Sequence, residues 1–245
     1  MPPSSDDGPS PRILVLWDID HTLIETRGVG RAIYERTFKS TFGKKLEQLA
    51  KVSGRTELEI MTETLRINVL EPTDETVAEL ARALISGYEA AKQELGARGR
   101  ALPGAKKTLA LLAEDNRLHQ SVLTGNLKDI ARIKVEAFGL AQYLNLTTGA
   151  YGEDNYNRAE LVHRAQERAR AVTGAAFANS RTVLIGDTPN DIAAGIAAGV
   201  RMIGVASGKS SVAELKEAGS EHVIPDLGQP EKLHDLLIQL TAQTN

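Results

Sequence analysis

Residues 13–23 read ILVLWDIDHTL, an apolar run that ends in two aspartates separated by one residue. Aspartate is rare within strands, so Asp18 and Asp20 indicate that a buried strand has ended and that the chain presents two carboxylates to a ligand. Carboxylate oxygens are the ligands of a hard cation, with a phosphate group as its natural neighbour. This stretch therefore predicts a strand followed by a catalytic loop.

The composition of the 245-residue chain is that of a globular protein with one large domain or two smaller ones. Hydrophobic residues make up 42% and charged residues 25%, which is enough apolar material for a buried core. The net charge of −3 gives no electrostatic basis for binding nucleic acid or an anionic membrane surface. The absence of cysteine excludes thiol catalysis, disulfides and a thiolate zinc site, and it is compatible with a cytoplasmic location.

Two further classes of segment are not expected. No stretch approaches the roughly 20 apolar residues that a membrane-spanning helix needs, so we expect a soluble protein. Residues 1–12, MPPSSDDGPSPR, lack an apolar run and predict a disordered leader rather than a signal peptide.

The hydrophobic pattern divides the rest of the chain into two predicted domains. Residues 27–99 carry apolar side chains at helical spacing and predict an all-α cap domain with helices at 30–42, 57–68 and 74–95. Residues 13–26 and 100–245 predict an α/β core domain, in which a mostly parallel, Rossmann-like sheet is covered on both faces. Its later strands are predicted at 119–123, 143–148, 182–185, 202–205 and 222–224, and its helices at 126–138, 158–173, 189–198, 212–218 and 231–240.

Polar motifs follow three of these strands. Asp18 and Asp20 follow the first, TGN (124–126) follows the second, and GDTPND (186–191) follows strand 182–185. Ligands of parallel sheets bind beyond the carboxyl ends of the strands. The three motifs are therefore expected to form one active site.

Together these motifs resemble those of the haloacid dehalogenase superfamily, specifically its phosphatase branch with an α-helical cap of the C1 type, as in phosphoglycolate phosphatase-like enzymes. The resemblance covers residues 13 to about 225. It implies hydrolysis of a small phosphorylated metabolite through an aspartyl-phosphate, with Asp18 as nucleophile and Asp20 as general acid and base. A carboxylate nucleophile divides the hydrolysis into two easier steps, and the leaving alkoxide needs a proton.

The resemblance also implies a Mg²⁺ ion. Its protein ligands would be the Asp18 side chain, the Asp20 backbone carbonyl and Asp187, with Asp191 assisting directly or through water. The alternative interpretation of Asp18 and Asp20 is a pair of ordinary turn acids. The five histidines show no metal-ligand spacing, so no zinc site is expected.

Each of the other two motifs has two interpretations. Thr124, Gly125 and Asn126 offer a hydroxyl and free backbone N–H groups for phosphate, or they are an ordinary helix N-cap and turn. Thr188 as N-cap, the proline after it and Asp191 at N3 are an ordinary helix start, and this role can coexist with metal binding by the motif.

A cation is expected between the second and third motifs, because the family usually places a lysine there, followed by proline. Residues 152–161, GEDNYNRAEL, contain no lysine, so Arg158 is the candidate to hold the nucleophile and the phosphate oxygens together. The alternatives are Lys134, in the middle of a predicted helix, and a solvated helix charge with no catalytic role for Arg158. Arginine and lysine contact oxygens differently, so the substitution bears on the reaction rate.

Substrate contacts are predicted at two further positions. His21 stands where family members often have glycine, and it either touches the substrate or fills the turn. Arg55, in SGRT (53–56), is placed to meet a second anionic group when a cap loop closes, or it belongs to a turn in which Thr56 is the N-cap. Arg27 and Arg31 are additional candidates near the hinge of the cap.

Three other functions share parts of this pattern. A phosphomutase of the same superfamily keeps every residue named above. A haloacid dehalogenase needs neither the second aspartate nor the metal, and a non-catalytic binding protein would be expected to lose one of the acids. The sequence leaves open whether the protein is a monomer or a homodimer.

Overall fold

A central parallel sheet organises the computed structural model, which describes residues 13–242. Five strands lie in the order β4-β1-β5-β6-β7, all parallel, and β2 and β3 form a separate antiparallel pair. The strands of the described residues are β1 (Ile13–Trp17), β2 (Ile24–Glu25), β3 (Arg100–Ala101), β4 (Leu118–Val122), β5 (Thr182–Gly186), β6 (Arg201–Val205) and β7 (His222–Ile224). The predicted leader, residues 1–12, lies outside the described residues.

Helices cover both faces of this sheet. The α-helices of the same residues are α1 (Val29–Phe42), α2 (Glu57–Ile67), α3 (Asp74–Ala90), α4 (Lys92–Arg98), α5 (Ala105–Ala113), α6 (Lys128–Ala137), α7 (Arg158–Thr173), α8 (Pro189–Ala198), α9 (Val212–Glu217) and α10 (Pro230–Ala242). None of them combines the length and hydropathy needed to cross a bilayer.

β1 is buried on both sides because its side chains alternate between two cores. Val15 and Trp17 pack with residues of α5 and α10, whereas Leu14 and Leu16 pack with residues of α7 and α8. The expected α/β core with a Rossmann-like parallel sheet is confirmed.

The helices α1 to α4, called the helical block below, are inserted between β2 and β3. The pairing of Ile24 with Ala101 and of Glu25 with Arg100 brings the entry and the exit of this block side by side. Its apolar cluster also includes Leu127, Ile130 and Ile133 from α6 and the preceding loop, so the block rests on α6. The domain boundaries at residues 27 and 99 stay a prediction.

Two sequence predictions of secondary structure are wrong. Residues 143–148 form no strand: a short 3₁₀ turn (Ala141–Tyr143) leads into a loop in which Asn145 Oδ1 accepts hydrogen bonds from the backbone N–H and hydroxyl of Thr147. Such local bonds compete with a strand ladder. The helix predicted over 74–95 breaks at Ala91 into α3 and α4, and Leu95 of α4 joins the apolar cluster of the helical block.

Candidate active site

The carboxyl ends of β1, β4 and β5 are adjacent and bring the three motifs together. Asp18 continues β1, with its backbone N–H bonded to Ile185 O at 2.9 Å, and Asp187 follows β5. One carboxylate oxygen each from Asp18, Asp187 and Asp191 lies within 4.8 Å of the others. The Thr22 hydroxyl lies 3.4 Å from Asp18 Oδ2 and 3.3 Å from Asp187 Oδ1, so the acids share a polar floor.

This acidic cluster sets three carboxyl groups against one guanidinium, that of Arg158. Burial raises the pKa of Asp18 well above its usual range and Asp191 raises it further, while Arg158 opposes the shift. Burial and the charge of Asp191 likewise raise the pKa of Asp187, to about 7, against the hydrogen bond from Thr22. Like charges forced together in a buried site favour a bound cation, and an all-oxygen donor set suits Mg²⁺. The residues therefore fit the metal that the resemblance implies, with Asp18 and Asp187 able to hold it.

The Asp191 carboxylate already accepts three hydrogen bonds, two from Thr188 and one from Arg158. Its Oδ2 accepts hydrogen bonds from the Thr188 backbone N–H at 3.0 Å and from the Thr188 hydroxyl at 2.6 Å, which closes a capping box at the start of α8. Its Oδ1 accepts from Arg158 Nη2. The predicted helix start at Thr188 and Pro189 is confirmed. Direct ligation of a metal by Asp191 would have to displace one of these partners, so we favour an indirect role.

Arg158 lies against the predicted nucleophile. Its Nη2 donates to Asp18 Oδ1 at 2.9 Å and to Asp191 Oδ1, and the residue is buried at the first position of α7. The interpretation of Arg158 as a solvated helix charge is therefore wrong. Its Nε has no hydrogen-bond partner among residues 13–242. This guanidinium thus combines a firm hold on Asp18 with an unused buried donor.

A second buried cation, Lys134, holds the other catalytic candidate. Lys134 Nζ lies 2.9 Å from Asp20 Oδ1, 2.7 Å from Asp20 Oδ2 and 2.6 Å from Asn126 Oδ1. Burial raises the pKa of Asp20, but the charge and hydrogen bonds of Lys134 outweigh it and leave the pKa below its usual value. The sequence predicted Arg158 and Lys134 as alternatives for a single cation. In the structure both are present at the site: Arg158 contacts Asp18, and Lys134 contacts Asp20.

The position of Lys134 on α6 is itself a sequence signal for a buried cation. Lys134 follows Ile130 by one helical turn, so it lies on the apolar face of α6. A lysine on such a face needs a buried partner. The sequence could not show that this partner is Asp20, which lies more than a hundred residues away in the chain.

The Thr124–Gly125–Asn126 loop faces Asp20 rather than capping a helix. Asn126 Nδ2 donates to Asp20 Oδ2 at 2.7 Å and to Thr124 Oγ1 at 2.8 Å. The helix α6 begins only at Lys128, and its N-cap, Leu127, makes no side-chain capping bond. The interpretation of Thr124 or Asn126 as an ordinary N-cap is therefore wrong, and both polar side chains remain directed towards the site.

The loop before α2 lies directly on this motif. The Glu57 backbone N–H donates to Gly125 O at 2.7 Å, and Asn190 Nδ2 donates to Gly54 O at 3.0 Å. A Cβ atom at Gly125 would overlap the carbonyl oxygen of Arg55. The helical block is therefore closed over the sheet, and only glycine at position 125 permits this approach.

Arg55 does not point its charge at the acidic cluster. Its guanidinium pairs with Glu63 and also donates to Lys51 O at 3.3 Å. Thr56 is the N-cap of α2 and forms a capping box with Glu59, as the turn interpretation predicts. Arg55 nevertheless lines the cavity, and its contact with a substrate stays a prediction.

His21 fills a turn that requires a left-handed backbone. Its φ is 64°, a conformation that favours glycine, which agrees with the residue expected at this position. Its carbonyl oxygen accepts from Ser207 Oγ at 2.7 Å. The other two candidates near the hinge pair locally, Arg27 with Glu25 and Arg31 with Glu35.

The loop after β6 also reaches the site, which the sequence patterns did not indicate. A Cβ atom at Gly208 would overlap the carboxylate of Asp187. The absence of a side chain at position 208 therefore lets this loop cover Asp187.

These residues surround a cavity of about 810 Å³ between the helical block and the carboxyl end of the sheet. Asp18, Asp20, Thr124, Arg158 and Asp187 line its sheet side. The volume suits a small molecule, since ligand pockets commonly measure about 300–1,000 Å³.

Comparison with known proteins identifies the fold. Residues 15–205 match the model of the haloacid dehalogenase-like hydrolases. A hydrolase from Pseudomonas syringae is 22% identical with a TM-score of 0.68, and the match covers 92% of this chain and 99% of that one. A predicted phosphatase from Clostridium acetobutylicum is 20% identical with a TM-score of 0.67, covering 94% and 100%.

A third structure comes from Bacteroides vulgatus, and its name gives β-phosphoglucomutase as the inferred activity. It is 18% identical with a TM-score of 0.66, and the match covers 95% of this chain and 91% of that one. No curated protein sequence is significantly similar to the chain. Likeness at these identities shows the fold, whereas the family match spans well over half of the sequence. The chain therefore belongs to the haloacid dehalogenase-like hydrolase family.

Proposed function

We propose that this protein is a Mg²⁺-dependent phosphatase that hydrolyses the monoester of a small metabolite through a phosphoryl group carried on Asp18. The observation that supports the proposal most is the position of Asp18. Its carboxylate accepts a hydrogen bond from the guanidinium of Arg158, and one of its oxygens lies within 4.8 Å of carboxylate oxygens of Asp187 and Asp191 in a cluster suited to a cation.

In the first step, an Asp18 carboxylate oxygen attacks phosphorus and the bond to the leaving oxygen breaks. Bound Mg²⁺ would supply positive charge that offsets the repulsion between Asp18 and the phosphate. Arg158 holds Asp18 in place, and its positive charge beside Asp18 stabilises the charge-spread transition state. Thr124 and Asn126 present a hydroxyl and an amide at the adjacent strand end.

Asp20 handles the proton. The negative charge of an arriving phosphate raises the pKa of Asp20 and favours the protonated carboxyl, against the pull of Lys134. Asp20 then gives its proton to the leaving oxygen as the first step proceeds. In the second step the Asp20 carboxylate takes a proton from water, the water oxygen bonds to phosphorus, and Asp18 is released.

The test is phosphate release from p-nitrophenyl phosphate with Mg²⁺ and then with EDTA. We expect turnover that EDTA abolishes and that Asp18→Asn lacks. Asp235→Asn is the matched control, because Asp235 is an 86% exposed aspartate on α10. Turnover that is absent with Mg²⁺, or that persists in EDTA or in Asp18→Asn, would overturn the proposal.

The same residues could transfer the phosphoryl group to a sugar hydroxyl instead of water. The likeness to the Bacteroides vulgatus protein is the reason to test this phosphomutase alternative. The two activities differ in product: a phosphatase releases inorganic phosphate in proportion to substrate consumed, whereas a mutase converts a sugar phosphate into its isomer and releases little.

A further inference from the structure

The cavity has a second polar wall, which the proposed chemistry does not use. Tyr34, Glu57 and Tyr88 form it, and all three belong to the helical block. Each is less than a tenth exposed, yet each lines the same cavity as Asp18. Buried polar groups require hydrogen-bond partners, so these side chains either bond to one another or bind a polar ligand.

Glu57 is only half satisfied by its neighbours. The Tyr34 hydroxyl donates to its Oε1. Among residues 13–242 no donor reaches its other oxygen, Oε2, and this atom is not one of the enclosed atoms without a partner, so it opens to the cavity. A carboxylate oxygen accepts hydrogen bonds, and one that faces a cavity is within reach of a ligand hydroxyl. The arrangement therefore leaves a place for a donor from a bound molecule.

Glu57 is also fixed beside the loop that is proposed to hold the phosphate. Its backbone N–H donates to Gly125 O at 2.7 Å, and Gly125 lies between Thr124 and Asn126. A substrate whose phosphate contacts this loop would place the organic part of its leaving group close to Glu57.

The charges and shapes of the wall favour hydroxyl groups. Lys134 is the buried cation closest to this wall, at 5.4 Å from the centre of the Tyr88 ring, and both oxygens of Asp20 already bind it. Lys134 Nζ lies over the Tyr88 ring and so occupies one face of it. The Tyr88 hydroxyl lies beside Gly30, where an added Cβ atom would come within 2.8 Å of the hydroxyl oxygen. A carboxylate on the leaving group would face Glu57. Within the described residues 13–242, the lysines without an ion pair that line the cavity, Lys51 and Lys209, are exposed and lie on the loop before α2 and the loop after β6, not on this wall.

We propose that Glu57, together with Tyr34 and Tyr88, selects phosphate esters whose leaving groups carry free hydroxyl groups, as in polyol and sugar phosphates, over those that carry a carboxylate. This inference rests on the proposed phosphatase function and names its substrate class. Glu57 Oε2 accepts a hydrogen bond from a substrate hydroxyl, and the two phenols bind neighbouring hydroxyls.

The experiment compares kcat/KM, with Mg²⁺, for glycerol phosphate, sorbitol phosphate, phosphoglycolate, phosphoethanolamine and p-nitrophenyl phosphate. The wild-type protein is expected to prefer the polyol phosphates over phosphoglycolate. Glu57→Gln is expected to lower the ratio of kcat/KM for polyol phosphates to that for p-nitrophenyl phosphate by about 10- to 100-fold, the usual range for a hydrogen bond to a charged group. Tyr34→Phe should lower the same ratio. Glu79→Gln, at an exposed glutamate of α3, is the control and should leave the ratio unchanged.

Binding provides a second readout that does not need turnover. In the Asp18→Asn background, calorimetry should show that Glu57→Gln weakens the binding of glycerol phosphate by at least about tenfold relative to the Asp18→Asn protein alone. Circular dichroism of each variant checks that it is folded. Should Glu57→Gln fail to fold, Tyr34→Phe and the wild-type substrate ranking decide the matter.

The two proposals fail in different ways. Absence of turnover of p-nitrophenyl phosphate with Mg²⁺ contradicts the proposed phosphatase function. If p-nitrophenyl phosphate is turned over but phosphoglycolate is preferred to the polyol phosphates, only the proposed selection by Glu57 is contradicted. Equal losses of kcat/KM on all substrates in Glu57→Gln contradict the same proposal. A preference for phosphoethanolamine over polyol phosphates also overturns it, because an ammonium would pair with Glu57 and leave the two tyrosines unused.

Discussion

Arg158 should be needed for folding as well as for turnover, because it is the buried cation that separates two buried carboxylates. Its Nη2 binds Asp18 and Asp191, whose side chains are only 10% and 1% exposed. In Arg158→Met these carboxylates lose their counter-charge while remaining in the interior. Removing one member of a buried ion pair costs about 3–5 kcal/mol, so the free energy of unfolding should fall by about that amount at pH 8.

The pH dependence of this loss has a definite sign. Burial and neighbouring acids already raise the pKa of Asp18, so lowering the pH protonates it and removes the repulsion. The difference in unfolding free energy between Arg158→Met and the wild type should therefore shrink as the pH falls. Asp191→Asn in the Arg158→Met background should recover part of the loss, because it removes one of the unpaired charges.

Urea denaturation in EDTA measures all of these differences. Arg164→Met is the matched control on α7: Arg164 is half-exposed and pairs with exposed Glu167, so its loss should change the free energy of unfolding by less than about 1 kcal/mol. A change below about 1 kcal/mol for Arg158→Met, or a loss as large at low pH as at pH 8, would refute the view that Arg158 neutralises buried acids.

Two other predictions concern the metal cluster and the closure of the helical block. The pKa of Asp187 rises on folding from 3.8 to about 7, so its ionisation opposes folding. Without metal, the free energy of unfolding should fall as the pH rises through this range, and Mg²⁺ should restore it above pH 7, as measured by urea midpoints in EDTA and in Mg²⁺. Asp187→Asn should reduce both effects and leave the part that comes from Asp18, whose pKa burial also raises. Gly125→Ala should lower kcat/KM by about a hundredfold while leaving the protein folded, because the added methyl group pushes the Arg55 carbonyl away from the loop. The control is Gly96→Ala in α4, where a Cβ atom meets only ordinary contacts, and it should have no effect on kcat/KM.

Local signals explain which parts of the fold could be predicted from the sequence. The helix α8 begins where Thr188, Pro189 and Asp191 predict it, because an N-cap, a first-turn proline and an acid at N3 act within four residues. β1 is a buried strand because five apolar residues in a row suit a sheet covered on both faces. The meeting of the three motifs followed from one topological rule about the ends of parallel strands.

Long-range contacts explain what the sequence could not show. The prediction treated Arg158 and Lys134 as alternatives for one cation, whereas the structure has Arg158 beside Asp18 and Lys134 beside Asp20. Glu57 lies beside the Thr124–Asn126 loop because its backbone N–H bonds to Gly125 O, a contact between residues far apart in the chain. The strand predicted at 143–148 failed for a local reason instead. The apolar residues of this segment favoured a strand, but Asn145 Oδ1 accepts hydrogen bonds from Thr147 and holds a loop there.

The central claim is that Asp18 carries the phosphoryl group, and trapping that adduct tests it most directly. Protein mixed with p-nitrophenyl phosphate and Mg²⁺ would be quenched in acid within the first turnover and its peptides mapped by mass spectrometry. We predict one phosphorylated peptide, containing Asp18, that is absent in EDTA and in Asp18→Asn. A phosphoryl group on another residue, or turnover without any adduct and undiminished in Asp18→Asn, would contradict the account.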